Sequence, residues 1–368
     1  MNHYAKKRII YPLLCFVMFI LSACGQTEQG KDVVKTAKNG KDKEVKETAK
    51  NEVRGTGKTE TLYLAGGCFW GIEEYFSRLY GVTESVSGYA NGNSENTSYK
   101  EIADTGHAET VRVTYEPYKI RPEEILVRYF KLIDPLSKNK QGNDVGTQYR
   151  TGIYYEDENL RPVIDRVYSY FQDEIGKPLA VEVEQLKNFV PAEDYHQDYL
   201  QKNPGGYCHI DVRSAYEPID GRHYDKPDDK KIKEQLTPTQ YDVTQKAATE
   251  EPGTSEFNGN EKRGLYVDVV TGQPLFSSSD QYDAGCGWPS FTRPITSDVL
   301  QVLEDNSLGM KRLEVKSKDG DSHLGHVFED GPQKDGGLRY CINGASLRFI
   351  PYEEMADAGY GIYTLMVE

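Results

Sequence analysis

The spacing of hydrophobic residues changes near residue 61 and again near residue 236. Between 61 and 216 two periods alternate. Thr61–Ala65, Val111–Tyr115, Thr151–Tyr155 and Leu179–Leu186 are short apolar or alternating runs, and each predicts a strand. Ile72, Tyr75, Phe76 and Leu79 recur at helical spacing, as do the apolar residues of 122–133 and 160–175, the former opening on a proline in its first turn. Strands interleaved with helices predict an α+β domain. The stretch 217–235 is polar and proline-bearing and reads as a linker. From 236 to 368 the apolar runs are short (264–270, 313–316, 338–350, 361–367) and are separated by Gly, Pro, Asp and Ser turns, which predicts a mainly β domain.

The first 60 residues follow neither pattern. Lys6, Lys7 and Arg8 precede an apolar run from Ile9 to Leu21, the arrangement of a targeting segment, and the run is short for a membrane span. Leu21-Ser-Ala-Cys24 resembles the lipobox of bacterial lipoproteins, which implies removal of 1–23, lipid on Cys24, and export to the outer face of the cell membrane. An ordinary signal peptide is the alternative. Residues 24–60, with no aromatic residue, Leu or Ile, read as a flexible tether. The formal charge of −14 argues against nucleic-acid binding, and 37% hydrophobic with 11% aromatic residues excludes a mainly disordered chain.

Beyond Cys24 four cysteines remain: Cys68, Cys208, Cys286 and Cys341. In an exported protein they could form structural disulfides in any of three pairings, making the chain a surface binding protein, or they could do chemistry. Cys68 points to chemistry. It stands where the first strand turns into a helix, after a glycine pair, and a thiol at a helix N-terminus is pushed toward the nucleophilic thiolate. Phe69 and Trp70 follow it as an apolar wall.

Gly-Cys-Phe-Trp at 67–70 is joined in order by Thr105-Gly-His-Ala-Glu109, by 141–150 with Asp144 and Tyr149, by Tyr195-His-Gln-Asp-Tyr199 and by a glycine-rich loop ending at Cys208. Together these resemble methionine sulfoxide reductase A, over residues 61–216. The resemblance implies an α+β two-layer sandwich in which Cys68 attacks the sulfoxide sulfur, Glu109 is the acid, and Cys208 resolves the resulting sulfenic acid. Phe69 and Trp70 would seat the S-methyl group, and Tyr99, Asp144 and Tyr149 would bind the sulfoxide oxygen or hold Glu109. His196 is expected to be a structural hydrogen-bonder.

The second half carries Tyr282-Asp-Ala-Gly-Cys-Gly-Trp-Pro-Ser-Phe291, the pair His323 and His326, and Arg339-Tyr-Cys-Ile-Asn343. These resemble methionine sulfoxide reductase B, which implies two antiparallel sheets over 236–368. Cys341 would be the nucleophile, Arg339 its electrostatic support and Cys286 the resolving thiol. Trp288 would seat the methyl group, His323 and His326 would form the acid pair with His326 as main donor, and Asn343 would orient water or the substrate oxygen. Many members of that family hold zinc through two Cys-x-x-Cys pairs. By alignment the four positions here are Asp268, Thr271, Ser317 and Gly320, so no zinc–thiolate site is expected and no cofactor is implied. The two resemblances imply opposite sulfoxide epimers, S then R. With no Cys-x-x-Cys in the chain, electrons are expected from an exported thioredoxin-fold partner.

Overall fold

The computed structural model describes residues 57–206, 208–309 and 311–368. The targeting segment, Cys24 and nearly all of the tether lie outside them. The first domain is built on a six-stranded mixed sheet with order β5-β4-β1-β3-β2-β6. Its strands are β1 (Glu60–Gly66), β2 (Val82–Ala90), β3 (Ala108–Tyr115), β4 (Thr151–Tyr155), β5 (Glu182–Gln185) and β6 (Phe189–Pro191). Only β4 and β5 run parallel, and the crossover this requires is the helix α3 (Arg161–Ile175). Strand β1 is buried on both faces. Leu62 and Leu64 pack into the cluster formed with α1 (Phe69–Phe76) and α2 (Pro122–Leu132), whereas Tyr63 and Ala65 meet Ala90, Ala108 and Tyr154 on the other side.

The second domain has a three-stranded sheet, β8-β7-β15, and a six-stranded sheet, β9-β10-β14-β13-β12-β11, with every pair antiparallel. In chain order these are β7 (Gly264–Asp268), β8 (Pro274–Ser277), β9 (Gln281–Tyr282), β10 (Ser290–Phe291), β11 (Leu300–Asp305), β12 (Arg312–Ser317), β13 (His323–Phe328), β14 (Arg339–Ile342) and β15 (Leu347–Pro351). Tyr266, Phe276, Phe291 and Tyr340 fill the core between them, Phe276 and Phe291 stacked 4.4 Å apart. The α+β and then mainly β order expected from the spacing is what is found.

Three stretches differ from the reading by pattern. The run 338–350 is two strands in different sheets, β14 and β15, separated by a 3-10 turn at Gly344–Ser346. The run 361–367 is a 3-10 helix, Gly361–Met366, not a strand. Tyr363, Leu365, Met366 and Val367 are all buried in one cluster with the first domain's helices, so no solvent face remains to alternate with. The linker is packed: Ile219, Tyr224 and Ile232 are buried, a helix α4 (Asp229–Gln235) is capped by Asp228, and Arg222 lies 4.3 Å over the Tyr360 ring.

The two domains meet through the first turns of α2. Arg121 pairs with Asp280, which also holds Arg293 Nε at 2.9 Å. The Glu124 carboxylate accepts from Ser297 N at 2.8 Å and Ser297 Oγ at 2.9 Å, and Arg128 bridges Glu124 (3.0 Å) and Asp298 (3.4 Å). Glu123, Glu124, Arg121 and Arg128 are buried, which charged side chains tolerate only when partnered.

Candidate active sites

The first site lies at the end of β1. The register Ala65↔Thr110 carries residues 66–68 alongside the start of β3, where Glu109 stands. The turn needs Gly67, whose φ of +84° is left-handed and whose absent side chain would strike Gln141 at 2.5 Å. Cys68 is then the residue before α1. The first helical amide, Phe69 N, donates to Glu109 Oε2 at 3.1 Å, so the helix N-terminus is capped by a carboxylate.

That geometry corrects one expectation. The Cys68 thiol is raised well above the ordinary thiol range, by burial first and by the nearby Glu109 charge second, and the Trp70 N–H only partly opposes this. A helix N-terminus favours the thiolate, but here desolvation outweighs it. Burial also pushes Glu109 up to about 8, against the Phe69 N–H and with help from Asp144. Glu109 is therefore protonated at neutral pH. Tyr99 and Tyr149 interact through their hydroxyls, and both feel Glu109, so these groups share one neighbourhood with Asp144.

The aromatic wall is fixed from behind. Trp70 stacks on Tyr199, with ring centroids 3.8 Å apart, and donates through Nε1 to His196 Nδ1 at 3.1 Å. Tyr99 gains support from Glu193, which accepts from Tyr99 N at 3.1 Å and from Tyr89 Oη at 2.7 Å. Cys208 lies against α1: a side chain on Gly71 would meet its sulfur at 2.7 Å. The Cys208 Sγ donates to Ile210 O at 3.2 Å and accepts from Ile210 N at 3.3 Å.

The second site lies on the β10-β14-β13 surface. Ser290↔Cys341 and Cys341↔His326 are direct cross-strand partners. His323 and His326 would face opposite sides of a regular strand, but the register shift beside Val315 and Lys316 absorbs a residue, and their rings lie 5.6 Å apart. His326 Nε2 meets Asp305 Oδ2 at 2.8 Å, and His323 Nδ1 meets Glu314 Oε1 at 2.7 Å. Burial holds His323 below the usual imidazole range.

Cys286 and Cys341 are in sulfur–sulfur contact at 3.6 Å. Burial and then the neighbouring Cys286 push Cys341 up to about 12, with Arg339 pulling the other way. Cys286 is lowered: against its own burial work Ser290, the Trp288 backbone, Cys341 and Arg339. Arg339 is held by both oxygens of Asp330 at 2.8 Å. The expected role of Asn343 is redirected. Its side chain is buried and engaged at both ends, Oδ1 accepting from Glu250 N at 3.0 Å and Nδ2 donating to Leu324 O at 2.9 Å, so it holds backbone.

The four zinc-aligned positions do converge, around a carboxylate. Asp268 is fully buried and accepts from Val270 N (2.8 Å), Thr271 Oγ1 (3.3 Å), Ser317 Oγ (2.7 Å) and Ser322 Oγ (3.2 Å). A side chain at Gly320 would lie 2.3 Å from Asp268 Oδ2. The space between the loops is filled by one oxygen ligand and hydroxyls, which does not fit a tetrahedral zinc–thiolate centre. All four cysteines are free thiols.

Sequence reading missed Tyr199, Glu193, Ser290, Asp305, Glu314 and Glu250. Tyr199 and Ser290 lay inside quoted motifs. The others reach their sites through strand pairing or long loops, which leave no local signal.

Residues 60–227 match the family model described as peptide methionine sulfoxide reductase, and residues 236–351 match the SelR domain. Among solved structures, Mxr1 from Saccharomyces cerevisiae in reduced form is 34% identical, over 44% of this chain and 95% of that one, with a TM-score of 0.41. Methionine sulfoxide reductase A of Corynebacterium diphtheriae is 35% identical, over 43% of this chain and 81% of that one, with a TM-score of 0.38.

Proposed function

The chain belongs to the peptide methionine sulfoxide reductase family and fuses a reductase of the A type to one of the B type, and from that premise we propose how its two sites divide the work. The first reduces the S epimer and the second the R epimer, so one chain repairs both products of methionine oxidation. At the first site Cys68 attacks the sulfoxide sulfur while Glu109, protonated at neutral pH, supplies a proton to the oxygen. The oxygen then passes to the Cys68 sulfur as its bond to the methionine sulfur and the transient Cys68–methionine sulfur bond break, methionine leaves, Cys68 is left as sulfenic acid, and the Cys68 thiol proton restores Glu109. Cys208 then attacks that sulfur, the S–O bond breaks, and the oxygen departs as water with the two thiol protons. At the second site Cys341 attacks, His326 with its Asp305 partner donates, and Cys286 closes the disulfide.

The sulfur–sulfur contact of 3.6 Å at Cys286 and Cys341, beside two carboxylate-held imidazoles, supports this most directly. An external dithiol must reopen each disulfide. The absence of Cys-x-x-Cys in the chain favours a thioredoxin-fold donor, and the lipobox-like 21–24 favours action on exported proteins from a lipid anchor on Cys24. The test is turnover of separately resolved S and R epimers of a methionine sulfoxide peptide by the full-length chain with dithiothreitol. Both should be reduced; reduction of one epimer alone would overturn the division of labour.

A further inference from the structure

We infer that Glu250 is a positioning residue of the second site, holding from outside both sheets the two groups that flank its thiol pair. The inference rests on the assignment of Trp288 as the methyl seat. The chain reaches Glu250 by a constrained route. Helix α5 (Pro238–Lys246) opens on a capping box between Thr237 and Gln240 and ends at Ala247, whose φ of 52° is left-handed without being glycine. Ala248 N closes that turn on Asp242 O at 3.1 Å.

Glu250 follows, buried, and all its polar groups are engaged. Its carbonyl accepts from Trp288 Nε1 at 3.1 Å, and its amide donates to Asn343 Oδ1 at 3.0 Å. Its carboxylate accepts from two consecutive amides just beyond, Gly344 N at 2.5 Å and Ala345 N at 2.9 Å. The side chain thus ties the loop to the segment that follows Cys341, and the main chain in turn fixes the Trp288 ring and the Asn343 amide. Trp288 lies two residues from Cys286, and Asn343 two from Cys341. One carboxylate on a loop before the first strand therefore sets the distance between the methyl seat and the nucleophile's strand.

An apolar seat binds sulfoxide before and during reaction, so loosening it raises KM more than it lowers kcat. In the full-length chain, Glu250→Ala should raise KM for an R-epimer peptide about tenfold or more, the scale for losing hydrogen bonds to a buried charge. Glu250→Gln keeps one acceptor and should recover part of the loss. S-epimer kinetics are the internal control and should not move. The chain has two tryptophans, so a Trp70→Phe background isolates Trp288, whose emission should shift to the red with Glu250→Ala. An R-epimer KM within about twofold of wild type, an unmoved Trp288 emission, a Gln variant no better than Ala, or a parallel loss of S-epimer turnover would each overturn the inference. A wild-type chain inert toward the R epimer would overturn the functional assignment instead, and the emission measurement alone would then decide whether Glu250 holds Trp288.

Discussion

The two sites of this chain bring two sulfurs and a proton source together by different physical means. At the second, the thiols are already in contact at 3.6 Å, and the proposed acid is the imidazole of His326, held by Asp305 at 2.8 Å. At the first, Cys208 is held by its own loop against Gly71, and the proposed acid is a carboxyl that burial lifts to about 8. A carboxyl offers a proton at neutral pH only in a desolvated pocket, and the same pocket raises the Cys68 thiol. Burial raises the thiol at both sites; what differs is that desolvation also lifts the carboxyl of the first, whereas strand register brings the imidazoles of the second to its thiol.

The largest test of that comparison is removal of each nucleophile. Cys68→Ser should abolish S-epimer reduction and leave R-epimer reduction intact, and Cys341→Ser should do the converse, measured on resolved peptides. Loss of both activities from either change would show that the sites are not separate. Next in size is Glu109→Gln, which retains an acceptor for Phe69 N and cannot give up a proton. S-epimer kcat/KM should fall by about 10²–10⁴. In the unmodified chain that activity should also decline as pH rises through about 8, because the acid loses its proton there. A profile flat from pH 7 to 9 would remove Glu109 from the acid role.

How much of this was legible in the sequence follows from how each residue reaches its site. Cys68, Phe69 and Trp70 are consecutive, and Cys286 and Trp288 nearly so, and local turns deliver them directly. Glu109 was readable because it closes the motif Thr105-Gly-His-Ala-Glu109 that carries the resemblance; the β1–β3 register that brings it to Cys68 was not. Asp305 and Glu314 were not: they meet the histidines across strands, one of them through a bulge. Tyr363, Leu365 and Val367 alternate as a strand would, yet Met366 is buried too, because the segment docks into a cluster shared with the first domain. Glu123 and Glu124 look like solvated first-turn acids of an amphipathic helix. Glu124 is buried against Ser297 of the second domain and Glu123 is paired with Arg166 of α3, which no period within one helix reveals.

That interface sets the third test. Asp280→Ala leaves Arg121 buried without its counter-charge and Arg293 without its 2.9 Å partner. Breaking a buried pair from one side costs about 3–5 kcal/mol. The chain should melt at lower temperature, and both epimer activities should be lost together on heating, since both domains lean on α2. Unchanged melting would mean that the domains associate without this cluster.

The smallest expected effect sharpens the same point from within one domain. Ser317→Ala deletes the 2.7 Å bond from the end of β12 to Asp268. Losing one hydrogen bond to a buried charged acceptor costs about 1.5–3 kcal/mol, which for a chain of this size unfolding as one unit lowers the melting temperature by roughly 2–4 °C. If the second domain unfolded alone, R-epimer activity would disappear on heating while S-epimer activity persisted to its original temperature. The buried charges between Arg121, Asp280, Glu124, Arg128 and Asp298 argue otherwise. With Glu124 and Arg128 paired in the first domain's core, loss of Ser297 and Asp298 strips Glu124 of two hydrogen bonds and Arg128 of its second carboxylate, so the first domain is destabilised as the second opens. Thermal inactivation of Ser317→Ala, followed with both epimers in one series, should therefore show two curves displaced by the same amount, and curves that separate by more than about 5 °C would show that the two reductases unfold independently.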